Sequence, residues 1–404
     1  MKKCLLLAGA ALLSLGALAD DVQVSGFINV GGGMLDDEDV NNDGILDNSY
    51  AGYTSEDMTF DSDSTFGLQV SKQVSDKLTA TGQMVARGSL DYELDAAWVY
   101  VKYQVNDNFS WRAGRFQSPF YFYSDFLNVG YAYHWIRPPV EVYNIQQRSV
   151  TGIDGLIDFS AGNFTGSLQV YTGAEDGDQT LASGAATRRH VRNQYGLVFS
   201  GNWEWLSFRA AHHEADVTIE TGPVDILPGV LSFDDFISNQ AGTGLRDLGF
   251  NAAADTLEPV DDKFTFDSVA LAIDTGTFVG MYETSKLDGS DTFAGTDKRS
   301  YLMLGVRAGD WMPYVTFAKA DDEAANALVG IPVIPQTAQI RTVITLLTES
   351  SVDHHETKTI GVRWDFTTSA AFKLQVDDID YDSDSGVLAD ESQRLISFAV
   401  QTVF

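Results

Sequence analysis

The side chains with chemical reach in this 404-residue sequence are mostly charged, and the cations stand singly among alternating apolar residues. Arg87, Lys102, Arg112, Arg148, Arg192, Arg209, Arg307 and Arg363 fall at the polar parity of such stretches. A segment of a different kind, 117–147, carries Asp125, Glu141 and Arg137 among densely spaced aromatics and three prolines. Carboxylates on one side of a narrow aqueous gap and cations on the other set up a transverse field, which orients dipolar solutes and ranks ions by charge. These residues are therefore expected to line a constriction, with His134 and Arg137 offsetting the acidity of the segment. Some of the arginines have a plainer use, bonding the segment to its surroundings.

A second cluster, Asp39-Val40-Asn41-Asn42-Asp43-Gly44-Ile45-Leu46-Asp47, places Asp39, Asn41, Asp43 and Asp47 at positions 1, 3, 5 and 9 of a calcium loop, with Gly at 6. Tyr50 stands where the bidentate acid at position 12 belongs, so only weak Ca²⁺ binding is expected. A solvated acidic loop accounts equally well for the same residues, and Asp36, Asp37 and Glu38 beside it suit the divalent cations that bridge lipopolysaccharide. The pairs His212-His213 and His354-His355 cannot chelate as units, because neighbours on a strand point to opposite faces. Solvated histidines near strand ends are the expectation. No G-x-S-x-G elbow marks a nucleophile, no cofactor is required by any motif, and no enzymatic activity is expected.

These charges need elements that keep two faces apart, and period-two alternation supplies them. Sixteen such stretches run from 21–33 and 64–74 to 370–381 and 392–404. In Ile360-Gly361-Val362-Arg363-Trp364-Asp365-Phe366 one face is apolar and the other carries Arg363 and Asp365. Phe372, Leu374 and Val376 alternate in the same way with Lys373, Gln375 and Asp377. The links alternate too. Short turns such as Ser75-Asp76, Asn106-Asp107 and Gly309-Asp310 separate long ones at 34–63, 117–147, 174–190, 215–262 and 321–355. A sandwich buries its apolar faces and has no reason to collect every long loop at one end; a closed barrel in a bilayer does both things the other way round. Trp111, Trp203, Trp205, Trp311 and Trp364 lie near short turns, as the aromatic girdle of a membrane barrel requires.

Composition sets the outer bounds. The formal net charge of −31 leaves no basic patch for nucleic acid. Lys2, Lys3, an apolar run from Leu5 to Leu18 and Ala17-Leu18-Ala19 form a signal peptide over 1–19, with the barrel over 20–404. The one cysteine, Cys4, falls in the leader, so the fold stands without disulfides. No later run is long enough for a transmembrane helix.

The last stretch, Leu395 to Phe404, puts Ile396, Phe398, Val400, Thr402 and Phe404 on one face. A final amphipathic strand closing on Phe resembles the C-terminal signature of Gram-negative outer-membrane barrels. With the leader, the sixteen strands and the long third outer loop, the chain resembles the trimeric porins of proteobacteria. The segment GRFQSPFYFYSDFLNVGYAYHWIRPPVEVY (114–143) is similar to their third loop and departs from the shorter Pro-Glu-Phe-Gly type of the enteric general porins. The resemblance implies an all-β transmembrane antiparallel up-and-down barrel of sixteen strands with the third extracellular loop, 117–147, folded into the lumen. It further implies a homotrimer among outer-membrane lipid and lipopolysaccharide, both termini periplasmic. The expected activity is passive diffusion of small hydrophilic solutes and ions, weakly preferring cations because of the acidic loops. A substrate-specific channel, for instance one with an aromatic slide for sugars, and a non-transporting surface adhesin are the alternatives.

Overall fold

The computed structural model describes residues 22–37, 50–53, 57–180, 186–220, 225–227, 231–232, 241–289, 292, 294–350, 352–386 and 391–404. The expected signal peptide, 1–19, and the expected calcium-loop residues Asp39, Asn41, Asp43 and Asp47 lie outside the described residues.

Sixteen antiparallel strands close into one barrel. In chain order they are β1 (Val22–Asp37), β2 (Thr65–Ser75), β3 (Leu78–Arg87), β4 (Leu94–Asn106), β5 (Phe109–Gln117), β6 (Ser149–Ala161), β7 (Phe164–Thr180), β8 (Ala186–Trp203), β9 (Leu206–Ile219), β12 (Asp262–Asp274), β13 (Phe278–Gly289), β14 (Gly295–Val306), β15 (Trp311–Asp321), β16 (His354–Thr367), β17 (Ala370–Tyr381) and β18 (Ser392–Val403). Two short strands, β10 (Asp225–Leu227) and β11 (Leu231–Ser232), pair outside it. Each of the sixteen alternating stretches of the sequence forms a barrel strand, several running further toward the long-loop end than the alternation alone marks. Closure removes every open edge, the requirement for a sheet in lipid.

The alternation sorts side chains as a membrane demands. Val24, Ile28 and Val30 of β1, Val99 and Val101 of β4, and Leu374 of β17 are exposed on the outer face. Asn29, Gln83, Gln375, Ser397 and Gln401 are buried on the inner one. Near the short-turn end, outward rings stack: Trp311 on Trp364 with centroids 5.1 Å apart, and Tyr103 on Trp111 at 5.7 Å. Asp267, the acid at lipid-facing parity in β12, is bonded to His212 of β9 at 2.7 Å.

Long and short links segregate to opposite ends. At the long-loop end, helices α1 (Gly242–Asp247) and α2 (Asn251–Leu257), between β9 and β12, share an apolar core with α3 (Ala338–Ser350), between β15 and β16. Leu245, Ala254, Leu257, Ile331 and Ile344 form its centre. The period-two reading treats both links as irregular loops; their 3.6-residue pattern is too short to stand out from the acidic sequence around it.

The seam joins β1 to β18, and the ends of the chain lock there. Gly26 N–H donates to the Phe404 carbonyl at 2.8 Å, and the Gly26 carbonyl accepts from Phe404 N–H at 3.0 Å. The Phe404 ring covers Gly26 so closely that a Cβ would stand 2.5 Å from Cζ and 2.8 Å from the Gly67 carbonyl. A backbone atom on one side and a ring on the other leave no direction to relax. Gly26→Val is expected to lower the temperature at which the folded barrel loses its compact electrophoretic mobility by at least several degrees, with Gly26→Ala intermediate.

Candidate functional site

A loop without regular structure inside a closed barrel must find a partner for each of its backbone groups. Residues 118–148 do so by touring the inner wall. On the outward path, Arg209 of β9 donates to the Pro119 carbonyl at 2.6 Å and Ser268 of β12 to that of Phe120 at 2.7 Å. Glu283 of β13, fully buried, accepts from the Phe122 amide (2.8 Å) and from the hydroxyls of Tyr143 (2.7 Å) and Tyr301 (3.0 Å). The chain then crosses to the opposite wall, where Arg87 of β3 donates to Asn128 Oδ1 at 2.9 Å and Asn29 of β1 to the Asn128 carbonyl at 3.2 Å. Gly130 permits the approach, since a Cβ there would collide with the side chains of Gln401 and Asn29.

The returning limb is held by two cations at inward positions. Lys373 of β17, with no exposed surface, donates from Nζ to the carbonyls of Gly130 (2.8 Å), Tyr133 (2.7 Å) and Trp135 (2.6 Å). Arg363 of β16 donates to those of Tyr131 (2.9 Å) and Tyr133 (2.7 Å). Rings complete the attachment: Phe120, Tyr121, Tyr133, Trp135 and Val142 pack with Phe266, Met281, Tyr301, Met303 and Tyr314 of the wall. Trp135 Nε1 donates to Thr316 at 2.8 Å. The limb therefore fills the side toward β13–β18. On the crossing segment Asp125 and Phe126 stay exposed.

Of the three charged loop residues, only Asp125 is exposed. It sits exposed on the turn Ser124–Phe126 and makes no ion pair among the described residues, while its charge acts on Arg112 and Arg209. Arg137 is buried between Asp63 (2.6 Å) and Asp377 (3.3 Å). Glu141, 2% exposed, accepts from Tyr50 (2.7 Å) and Thr357 (2.5 Å) and lies 3.3 Å from His355 Nε2. The expectation that both meet solute is thus corrected: an ion this deep in a packed interface persists only when paired, and theirs are.

The wall cations divide likewise. Lys102 and Arg112 are register partners on the inner face of β4 and β5, and Arg112 is fork-bonded to Asp154 of β6. Arg87 reaches Asp95 at 3.4 Å, and Arg148, exposed at the end of the loop, lies in the field of both. Arg307 pairs with Asp274 at the short-turn end. Arg192 is a correction of face. A register shift between Arg192 and Tyr195, with Asn193 at φ +49°, turns it outward, where it bonds Asp176 at 2.6 Å. A bulge reverses parity and leaves no mark in an alternation pattern.

The histidine pairs do split across the sheet, but their inner members are not solvated. His213 is buried against Tyr171 (2.8 Å) and Phe120, and His355 bridges Asp353 and Glu141. Sequence reasoning also passed over Lys373, Glu283 and Asp154 as site residues. Their signal was present: a charge at inward parity opposite a long aromatic loop.

No family model and no curated protein matches the chain. Solved structures do. The outer membrane channel DcaP of Acinetobacter baumannii aligns with a TM-score of 0.54 at 11% identity, over 95% of this chain and 97% of that one. OmpT, an outer membrane protein of Vibrio cholerae solved in a trimer form, gives 0.53 at 10% over 95% and 99%. An anion-selective porin from Comamonas acidovorans gives 0.50 at 14% over 95% and 99%. The likeness is one of architecture: the chain has the sixteen-stranded fold of outer-membrane porins.

Lys373→Met tests the attachment. The exchange removes the cost of burying an ammonium but leaves three enclosed carbonyls with one donor fewer each, at about 1–3 kcal/mol apiece. We expect a net loss of about 2–4 kcal/mol, seen as a lower denaturant midpoint and as faster proteolysis within 128–136.

Proposed function

We propose that the protein is a porin, a passive diffusion channel for small hydrophilic solutes and ions across the bacterial outer membrane. One observation carries the reading. The loop is bonded around the wall so that it occupies one side of the lumen and leaves Asp125 exposed in the field of Arg112, a wall cation of β5. A lumen narrowed but not closed, with opposed charge at the narrowing, sorts solutes by size and dipole. The adhesin alternative needs a filled lumen and gains no support from this arrangement. No catalytic residue is assigned.

Homotrimerisation accords with the outer face of β2–β5. Ala80, Gly82 and Ala113 form a shallow groove there between Val70, Val99 and Val101, small enough to admit the side chains of a second copy. The remaining circumference carries outward pairs near the long-loop end, among them Lys286–Asp288, Lys358–Asp380 and Arg394–Asp378. Mixed cations and carboxylates at that height suit lipopolysaccharide phosphates and their bridging divalent ions. Asp39, Asn41, Asp43 and Asp47 would add weak Ca²⁺ binding at the surface. The abundant acid of the loops enriches cations at the mouth, which gives a weak cation preference to whatever part of the resistance lies in the vestibule.

Purified protein in planar bilayers should give stepwise ohmic conductance. Deleting part of 120–135 should raise the step by about twofold or more, because the loop and not the barrel wall sets the narrowest section. Absence of any step from folded protein would end the channel reading and revive the adhesin.

A further inference from the structure

The opening itself does not share the acidity of the chain. Of its cations, Arg87 and Arg112 are offset by Asp95 and Asp154. Arg209 is spent on the Pro119 carbonyl and Ser200, but Lys102 and Arg148 have no ion-pair partner among the described residues. Against these two stands Asp125. In a protein of net charge −31 the wall facing Asp125 is therefore not acidic.

It is also apolar in one place. Phe126, next to Asp125 on the crossing segment, is 53% exposed. A segment enclosed by the barrel meets water only in the lumen, so this ring is presented to the path. By contrast Phe120, Tyr121, Tyr133 and Trp135 are buried against the wall, and Phe122, Tyr123, Tyr131 and Tyr143 are half-buried. On the facing side, Tyr100 lies under the Arg112 guanidinium, 5.4 Å from ring centroid to Cζ, and touches Trp98. An exposed aromatic in a channel otherwise lined by polar groups is costly to leave hydrated, and a solute ring that covers it recovers that contact.

We propose that the constriction is a binding subsite for aromatic carboxylates, with the ring of the solute against Phe126 and Tyr100 and its carboxylate toward Lys102 and Arg112. Neither half suffices alone. A simple anion gains only screened attraction in a wet lumen, and a neutral ring gains only partial burial. Asp125 sets the orientation by repelling the carboxylate toward the cationic wall.

The proposal rests on the channel reading and is tested on the whole protein in planar bilayers. Benzoate added to one side should interrupt single-channel current in a concentration-dependent manner. Acetate, benzyl alcohol and benzylammonium should each need at least about tenfold more for the same block. Phe126→Ser and Lys102→Gln should each weaken the benzoate block about tenfold while the channels still open. Equal block by benzoate and acetate, or stronger block by benzylammonium, overturns the subsite and leaves the channel standing. No current at all from folded protein overturns the channel and the subsite together. The comparison of the four solutes on the unaltered protein decides the matter even if a variant fails to fold.

Discussion

The interaction on which the rest of this structure depends is the capture of main-chain carbonyls by buried cations. Thirty-one residues of irregular chain lie inside a barrel whose wall has already used its backbone groups on its own ladders. Water is excluded from the buried part of the loop, and each unpaired carbonyl there would cost about 1–3 kcal/mol. Lys373, Arg363 and Arg209 answer this with charge-assisted bonds to six carbonyl contacts, three of them from a single ammonium. Charged donors make the stronger class of hydrogen bond, and the flexible stem of lysine lets one group reach three oxygens that no strand geometry would place together. The aromatic residues then pack over bonds already fixed in direction.

That arrangement divides the inward charges into two populations. The first is paired at depth: Arg137 with Asp63 and Asp377, Glu141 with Tyr50, Thr357 and His355, and Glu283 with two tyrosines and a loop amide. These hold the loop and have no surface left for a solute. The second, Lys102 and Arg112 on β4 and β5, lies outside these loop-holding contacts. Charge balance in the first population does not constrain the second, so a strongly acidic chain can keep a passage wall that is not acidic. Between charges a few ångströms apart in a water-filled lumen the interaction is nearer the aqueous limit, about 1 kcal/mol at 4 Å, than that of a dry interior. Discrimination there is graded and not absolute.

How much of this was legible in the sequence follows from what each feature depends on. The sixteen barrel strands were readable, though not their full lengths toward the long-loop end, because a bilayer outside and water inside impose the same two-residue rule on all of them. The loop was readable from its failure to obey that rule. Its path was not, since Asp125, Arg137 and Glu141 look alike in a sequence and differ only in which wall the backbone passes. Arg192 shows the limit of parity: one residue in the left-handed region at Asn193 reverses every face before it in β8. His213 and His355 show another, because a strand end that would be solvated on a bare barrel is buried once a loop folds over it.

The same division bears on whether the loop can act as a gate. A gate needs two arrangements within a few kcal/mol of each other. Releasing the returning limb would break the Lys373 and Arg363 contacts together and expose Tyr133, Trp135 and Ile136, an apolar area whose burial is worth about 1.5–3 kcal/mol for each large side chain. The sum lies well beyond what a small solute gives back on binding. The crossing segment is different. Between the Glu283 and Asn128 contacts, Asp125 and Phe126 are held among the described residues by the local turn, through Phe126 N–H to the Tyr123 carbonyl at 2.9 Å and Val129 N–H to that of Phe126 at 2.7 Å. Movement that matters for passage is therefore confined to the two side chains that face the solute, on a backbone anchored at both ends.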